Sequence, residues 1–344
     1  GGTHGGTARD VGSVLAYGSV PRPATHGSGG NTSAGGGAAH FVIAGKTIID
    51  GTVTANGASG NYSGAGGSLW LETGTLEGAA TGIIRANGGA NNNNQYAAGG
   101  GGRVAITLTG AGAGFGDYLG IIEAKGGTAT VSGAVRSAGA GTVYLRKGGE
   151  AENDGTLILD APVSAEPDGF TDFTSAMDPA EVGAVVVTNG ALLRVRNDAA
   201  LSVRRSFANA SVWQGATVLG EAATGNAAAG TVVLTDSNVA CRVTGTNVFM
   251  CLRCAAPGKT VRFGGVDDTL TVVDAAGAFE MAGEAGAPVY LRGNASGVPW
   301  GLNLMTGAAV GVAYVDVMDS NADYGMKVVA DQTSVDSGNN HNWN

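Results

Sequence analysis

Short runs of alternating apolar and polar residues recur through the first half of the chain, and each repeat begins just after a glycine. A period of two predicts β-strands, because successive side chains of a strand point to opposite faces. A second short apolar run follows in each repeat and weakens in the fourth copy. The first runs lie at 39–41, 69–71, 104–106 and 143–145, and the second runs at 52–54, 83–85, 121–123 and 157–160.

Repeats that hold only two short strands cannot bury an apolar face alone, but stacked repeats share one continuous core. Two of the second runs end in Ala-Asn-Gly, and asparagine and glycine tolerate the left-handed backbone of a tight corner. We therefore predict an all-β fold in which the chain winds as a β-solenoid with glycine-rich loops. The loops between strand pairs, such as Gly88 to Gly102, are expected to project from it.

The pattern lapses into a polar, proline-containing stretch after residue 160 and resumes with less glycine near residue 184. A stretch of this composition is typical of a connecting segment. The sequence therefore predicts a glycine-rich β-helical section over 1–160, a connecting loop over 161–183 and a second β-helical section over 184–344.

The composition of the chain argues against several classes of protein. The chain has 62 glycines and 8 prolines without the every-third glycine of collagen, which excludes a triple helix. The formal net charge is -9 and no segment concentrates lysine and arginine, so nucleic acid is not an expected partner. No apolar run approaches the roughly 20 residues that cross a bilayer, so no membrane-spanning segment is predicted. Because the chain starts at Gly1 without a methionine, we expect it to be part of a longer protein.

Six glycine motifs follow one another along the first section: His4-Gly5-Gly6, Ala16-Tyr17-Gly18-Ser19, Gly66-Gly67-Ser68-Leu69-Trp70-Leu71, Ala86-Asn87-Gly88-Gly89, Gly100-Gly101-Gly102-Arg103-Val104-Ala105 and Ala140-Gly141-Thr142-Val143-Tyr144-Leu145. In this order they resemble a module of large secreted and surface proteins of environmental bacteria. The segments 315–322 and 335–343 are similar to a closing segment of β-helical repeat proteins. The resemblance implies a right-handed, pectin-lyase-like parallel β-helix that is extracellular and adhesin-like. It does not imply lyase activity, because this fold carries lyases, hydrolases and plain adhesins.

Strand alternation places Trp70 on the outer face, between inward Leu69 and Leu71. The equivalent positions of the neighbouring repeats are His40, Ala105 and Tyr144, so these side chains are expected to form an outward ladder. Such a ladder is a platform for sugar rings, because aromatic side chains stack on apolar ring faces. The alternative that the pattern leaves open is a ladder covered by a loop or by a neighbouring section. Loop residues expected to add stacking and amide hydrogen bonds are Tyr62, Tyr96 and Asn92.

Oxygen-bearing side chains alternate at Asp319, Asn321 and Asp323, as they do in calcium loops. In the calcium-binding hand, however, a glycine follows the third ligand directly and a carboxylate closes the loop at position twelve. Here Tyr324 comes before the glycine, and the closing position is Ala330. Calcium is therefore a candidate cofactor at these three residues, and solvated acids of a turn are the competing interpretation.

The three cysteines are too sparse for a disulfide framework. Cys251 and Cys254 have the spacing of half a zinc site, but residues i and i+3 of a strand point to opposite faces. Cys241 lies in an alternating run and is predicted to be a small core residue. A disulfide from Cys241 to one of the other two stays open at this stage.

No set of side chains converges into a catalytic motif, so the chain is not predicted to be an enzyme. Arg103, Lys125 and Lys147 belong to different repeats, and the adjacent acids Asp267 and Asp268 should diverge if they lie in a strand. We expect a non-catalytic extracellular structural or adhesive protein, a building block of a surface appendage or filament. The alternative is a polysaccharide-binding module or a β-helical polysaccharide lyase or hydrolase.

Self-association has a physical cause in this fold. A solenoid without caps exposes strand edges, which invite end-to-end pairing with another copy or with further repeats of a longer chain. Glycine-rich stretches such as Gly27 to Gly37 are also expected to pack closely between neighbouring units, because no side chains keep the backbones apart.

Overall fold

The computed structural model describes residues 1–8, 15–91, 97–163, 165–175, 177–178, 181–196, 199–210, 230–264 and 270–344. The described residues form strands, turns and bends and no helix, which confirms the all-β prediction. In the same ranges no helix is long and apolar enough to cross a membrane. Eighteen strands belong to long, mostly parallel ladders. The chain divides into two compact units, unit 1 with Gly1–Pro179 and Val187–Leu193, and unit 2 with Ala180–Val186 and Arg194–Asn344.

Unit 1 contains the first twelve strands, and all eight runs predicted for its sequence lie in them. The strands are β1 (Ala38–Ile48), β2 (Thr52–Thr54), β3 (Ser68–Glu77), β4 (Ile83–Arg85), β5 (Arg103–Leu108), β6 (Ile121–Glu123), β7 (Thr128–Val131), β8 (Ala134–Ser137), β9 (Thr142–Arg146), β10 (Thr156–Asp160), β11 (Glu166–Pro167) and β12 (Thr171–Phe173). The segment 161–183, predicted as a connecting loop, therefore contains β11, β12 and the start of β13 (Glu181–Thr188).

Two parallel ladders organise unit 1. The first runs β1, β3, β5 and β9, and the second runs β2, β4 and β6. Their inward Leu, Ile and Val side chains, with Leu69, Leu71 and Ile106 among them, form one buried cluster. The second apolar run of the fourth repeat lies in β10. This strand does not extend the second ladder, because it pairs antiparallel with β9.

Glycine-rich segments outside the strands pack side by side in unit 1. We call them the glycine bundle: residues 1–7, 27–36, 55–60, 63–67, 86–89, 97–102, 124–127 and 138–141. Along 63–68 the backbone amides donate in turn to three neighbouring segments, and each segment is reached again three residues later. A period of three with all bonds to neighbours is typical of the polyproline II conformation. Ser63 and Gly66 donate to Ala97 and Gly100, Gly64 and Gly67 to Ala58 and Ala55, and Ala65 and Ser68 to Ser28 and Gly37.

Close backbone approach explains why glycine is needed in this bundle. A Cβ at Gly66 would overlap the carbonyl oxygen of Ala86, and a Cβ at Gly36 would overlap that of Ala55. The close packing expected for Gly27 to Gly37 is therefore present within unit 1 itself. The prediction of a projecting loop from Gly88 to Gly102 is wrong at its two ends, because Gly88 and Gly89 and the segment 97–102 are part of the bundle.

A buried polar cluster ties the N-terminal segment to the strands of unit 1. His4 is buried, with Nδ1 2.8 Å from the Gly66 carbonyl and Nε2 2.9 Å from the Thr25 hydroxyl. Arg103 is also buried and donates from Nε to the Tyr17 carbonyl and from Nη1 to the Thr142 hydroxyl, both at 2.9 Å. Five of the six glycine motifs thus supply residues to one hydrogen-bonded cluster.

Unit 2 contains the last twelve strands, and the chain enters it around β13 and β14 (Leu193–Val195). The strands are β15 (Ala200–Ala210), β16 (Thr231–Leu234), β17 (Cys241–Thr244), β18 (Asn247–Cys254), β19 (Thr260–Phe263), β20 (Leu270–Ala282), β21 (Val289–Gly293), β22 (Trp300–Leu304), β23 (Ala309–Ala313), β24 (Val315–Val317), β25 (Ser320–Asn321) and β26 (Val335–Asp336).

Three parallel ladders form unit 2, and from β17 to β25 the chain visits them in the order A, B, C. Ladder A runs β15, β17, β19, β21, β24 and β26. Ladder B runs β18, β20, β22 and β25, and ladder C runs β15, β16, β18, β20 and β23. After β19 in ladder A, β20 passes through B and then C, and β21 returns to A.

Large apolar side chains fill unit 2. Phe207 and Phe249 meet edge to face with ring centroids 5.5 Å apart, and Phe263 stacks on Trp300 at 4.2 Å. All four rings are buried. Aromatic pairs at these separations stabilise a core beyond the area that they bury.

Candidate functional site

The predicted ladder of outward side chains forms in unit 1. The strand register aligns His40 with Trp70, Trp70 with Ala105, and Ala105 with Tyr144. Trp70 is half-buried, and its neighbours Leu69 and Leu71 are buried, as alternation along the strand requires.

The ladder is open to solvent at its β1 end. The rings of His40 and Trp70 are nearly parallel, with centroids 3.5 Å apart and an interplanar angle of 6°. His40 Nε2 lies 2.9 Å from Oε1 of Glu72, which fixes the orientation of the imidazole. One face of the Trp70 indole is therefore covered by His40.

The ladder is closed at its β9 end, so Tyr144 is not an exposed platform. Its side chain is fully buried, and its hydroxyl donates to the Glu152 carbonyl at 2.8 Å and accepts from the Gly155 amide at 3.0 Å. Burial raises the pKa of Tyr144. The loop before β10 supplies this cover, which is the alternative that the sequence left open.

The next outward positions of the same strands complete a pocket beside Trp70. The register aligns Glu72 with Thr107 and Thr107 with Arg146. The pocket has a volume of about 180 Å³ and is lined by Pro21, Arg22, Trp70, Glu72, Thr107, Tyr144, Arg146 and Glu152. Sequence reasoning missed Glu72, Thr107 and Arg146, although they lie two residues beyond the predicted ladder and alternation alone would have placed them on its face.

The pocket combines an indole with two guanidinium groups, two carboxylates and a hydroxyl. Glu152 forms an ion pair with Arg22, and Glu72 is paired with His40. An aromatic face flanked by several donors and acceptors suits a ring with hydroxyl groups, because ring stacking and directional hydrogen bonds act together. The arrangement can therefore hold a saccharide unit.

Of the three predicted loop residues, the structure describes Tyr62. Tyr62 is half-buried beside the glycine bundle and is not among the residues that line the pocket. Asn92 and Tyr96 lie outside the described residues, as do Asp267 and Asp268.

The calcium candidates lie in unit 2, where Asp319 has a different role from the other two. The Asp319 carboxylate is buried and accepts from the Gly297 amide at 2.9 Å and from Nδ2 of Asn339 at 2.7 Å. Asn321 Oδ1 caps the Asp323 amide at 3.0 Å, and an Asp323 oxygen lies 3.6 Å from Nδ1 of His341. Within the described ranges no three His, Cys, Asp or Glu side chains form a metal-binding group. Calcium binding at these residues stays a prediction.

The three cysteines of unit 2 are free thiols. Cys241 is buried in β17, which confirms its prediction as a core residue, and burial raises its pKa to about 12. Cys254 is buried at the end of β18, and Cys251 is half-buried. Burial raises the pKa of both, so thiolate chemistry is suppressed near neutral pH.

Comparison with known proteins adds no assignment. No family model matches the chain, and neither curated proteins nor solved structures give a match.

Proposed function

We propose that this protein is a non-catalytic extracellular structural protein with a right-handed, pectin-lyase-like parallel β-helix. In this proposal the ladders of each unit are the faces of stacked coils, and the chain is a building block of a bacterial surface appendage or filament. The observation that carries the proposal is the free edge of β1.

In the described part of the chain β1 pairs only with β3. Its apolar side chains are exposed, with Val42 71% and Ile48 60% accessible. An apolar cavity of about 190 Å³ lies behind this strand, lined by Phe41, Ile43 and core residues of the next two repeats. A long apolar edge strand is a template for pairing with another chain. A strand of a second copy would pair with the free edge of β1, opposite the parallel pairing with β3.

The side chains that face the Trp70 pocket support a binding role over a catalytic one. A binding site needs complementary groups held in place, and Glu72 and Glu152 are each held by a basic partner, His40 and Arg22 respectively. Adhesion to an extracellular saccharide at this pocket is therefore the second function that we propose.

The self-association is tested by light scattering of the protein at increasing concentration. We expect the wild type to reach at least the mass of a dimer, because pairing along β1 buries Phe41, Val42 and Ile48. Val42→Lys should keep the protein monomeric, since its side chain points outward opposite Glu72 and the fold does not require it.

Val298→Lys is the matched control, because Val298 is also exposed, at 55%, but lies in a turn of unit 2. A wild-type protein that stays monomeric at all concentrations, or a control that dissociates it equally, would refute the role of β1.

A further inference from the structure

Arginines that are far apart in the sequence form a column on the outer face of ladder A. The register pairs Arg242 with Arg262 and Arg262 with Arg292. Their neighbours along each strand are buried, so the three side chains project outward. Neighbouring strands lie about 4.8 Å apart, so the three positions span about 10 Å along the stack.

Like charges directly opposite each other on neighbouring strands are unfavourable, and the column contains little to offset them. Arg292 pairs with Asp316, with Nη2 2.9 Å from Oδ1. Arg262 donates to the Gly293 carbonyl at 3.3 Å, and Arg242 is exposed. Among the residues that the structure describes, no carboxylate pairs with Arg242 or Arg262. The column is therefore a concentrated positive site on a chain of net charge -9.

A pocket of about 380 Å³ opens beside the column. Its walls include the side chains of Thr260, Arg262, Tyr290, Arg292, Ser296 and Met318. The Arg292 guanidinium lies 5.2 Å from the centroid of the half-buried Tyr290 ring. The acid at the pocket floor, Asp319, is already bonded to Gly297 and Asn339, so the groups directed at a ligand are mainly donors.

The chemistry of the ligand follows from these groups. Guanidinium groups bind carboxylates and sulfates through paired hydrogen bonds. The column holds three guanidinium groups in a line, at the spacing of neighbouring strands. This arrangement fits a polymer with repeated anionic groups better than it fits a single small ion. Tyr290 adds a ring face, and Thr260 and Ser296 add hydroxyl groups for sugar hydroxyls. A nucleic acid strand would need an aromatic platform for each base, and the column has one tyrosine.

We propose that unit 2 binds a carboxylated polysaccharide along Arg242, Arg262 and Arg292, with one sugar held against Tyr290. This site uses none of the residues of the Trp70 pocket or of β1, so it stands or fails separately from the proposed function.

Binding is measured by biolayer interferometry with alginate as the carboxylated polysaccharide, dextran as the neutral one and single-stranded DNA as another polyanion. We expect alginate to bind, and more weakly at higher salt, with little response to dextran or DNA. The double variant Arg242→Gln/Arg262→Gln should lose at least about tenfold in affinity, because each guanidinium makes charge-assisted hydrogen bonds.

Arg253→Gln is the control for the loss of an arginine charge, since it removes one of the two charges that the double variant removes, from ladder C, where Arg253 is half exposed and faces Glu280. It should bind alginate within about twofold of wild type. Dextran binding that the double variant loses to the same extent, equal binding of DNA, or an equal loss of alginate binding in Arg253→Gln would overturn the proposal. Melting curves of all variants check that each variant is folded.

Discussion

The two units are both built from parallel ladders, but different parts of the chain fill them. In unit 1 much of the space beside the ladders is occupied by the glycine bundle, where backbones contact each other directly. In unit 2 the space between ladders is occupied by side chains such as Phe207, Phe249 and Phe279. Backbone packing fixes geometry through hydrogen bonds, whereas side-chain packing depends on volume and shape. We therefore expect unit 1 to be destabilised most by side-chain atoms added at its glycines, and unit 2 by side-chain atoms removed from its core.

The largest effect is expected when a methyl group is added to the glycine bundle. Gly66→Ala should destabilise unit 1 by about 3 kcal/mol, because the new Cβ meets the Ala86 carbonyl and the Gly102 amide and the backbone must shift. The effect is measured by urea titration with pulse-labelling hydrogen exchange, in which peptides of β3, β5 and β9 report on unit 1.

Gly114→Ala serves as the control, because nothing lies within 4 Å of its Cβ position. This variant should stay within about 0.5 kcal/mol of wild type. If Gly66→Ala is as stable as Gly114→Ala, the glycine bundle does not hold unit 1 together.

A smaller loss of stability is expected when the pH is lowered, and we expect it in unit 1. Burial, together with the nearby Arg103 charge, lowers the pKa of His4 from 6.5 to about 4. The unfolded chain then binds the proton more strongly than the folded one, so stability is full above pH 6.5 and falls as the pH drops towards 4. Between pH 7 and pH 5 the loss is about 2 kcal/mol.

The same urea titration at the two pH values checks this, with unit 2 peptides as the internal reference. The variant His4→Gln should remove most of the pH dependence, because its amide does not titrate. A pH dependence that is unchanged in His4→Gln would show that another group is responsible.

Strands and their faces were predictable from the sequence, because alternation and the Ala-Asn-Gly corners are local signals. The positions of β2, β4 and β6 and the outward direction of Trp70 follow from them. The burial of Tyr144 did not follow, because it depends on how the loop at 152–155 folds back over β9.

The other features that the sequence did not predict depend on which distant segments become neighbours in the fold. Arg242, Arg262 and Arg292 are unevenly spaced in the sequence, so no repeat reveals that they stack. The stretch from Gly88 to Gly102 was predicted as a projecting loop because a glycine-rich segment has no side-chain period that would mark its three-residue hydrogen-bond pattern. His4 and Arg103 belong to motifs visible in the sequence, but only the fold brings them to one cluster.

We propose that this chain is a structural building block that joins other copies through β1. Negative-stain electron microscopy of the protein at a low and a high concentration tests it most directly. We expect single wild-type particles at low concentration and joined particles, in pairs or filaments, at high concentration, and only single particles of Val42→Lys at both. Single wild-type particles at both concentrations, or joined particles that persist in Val42→Lys, would contradict it.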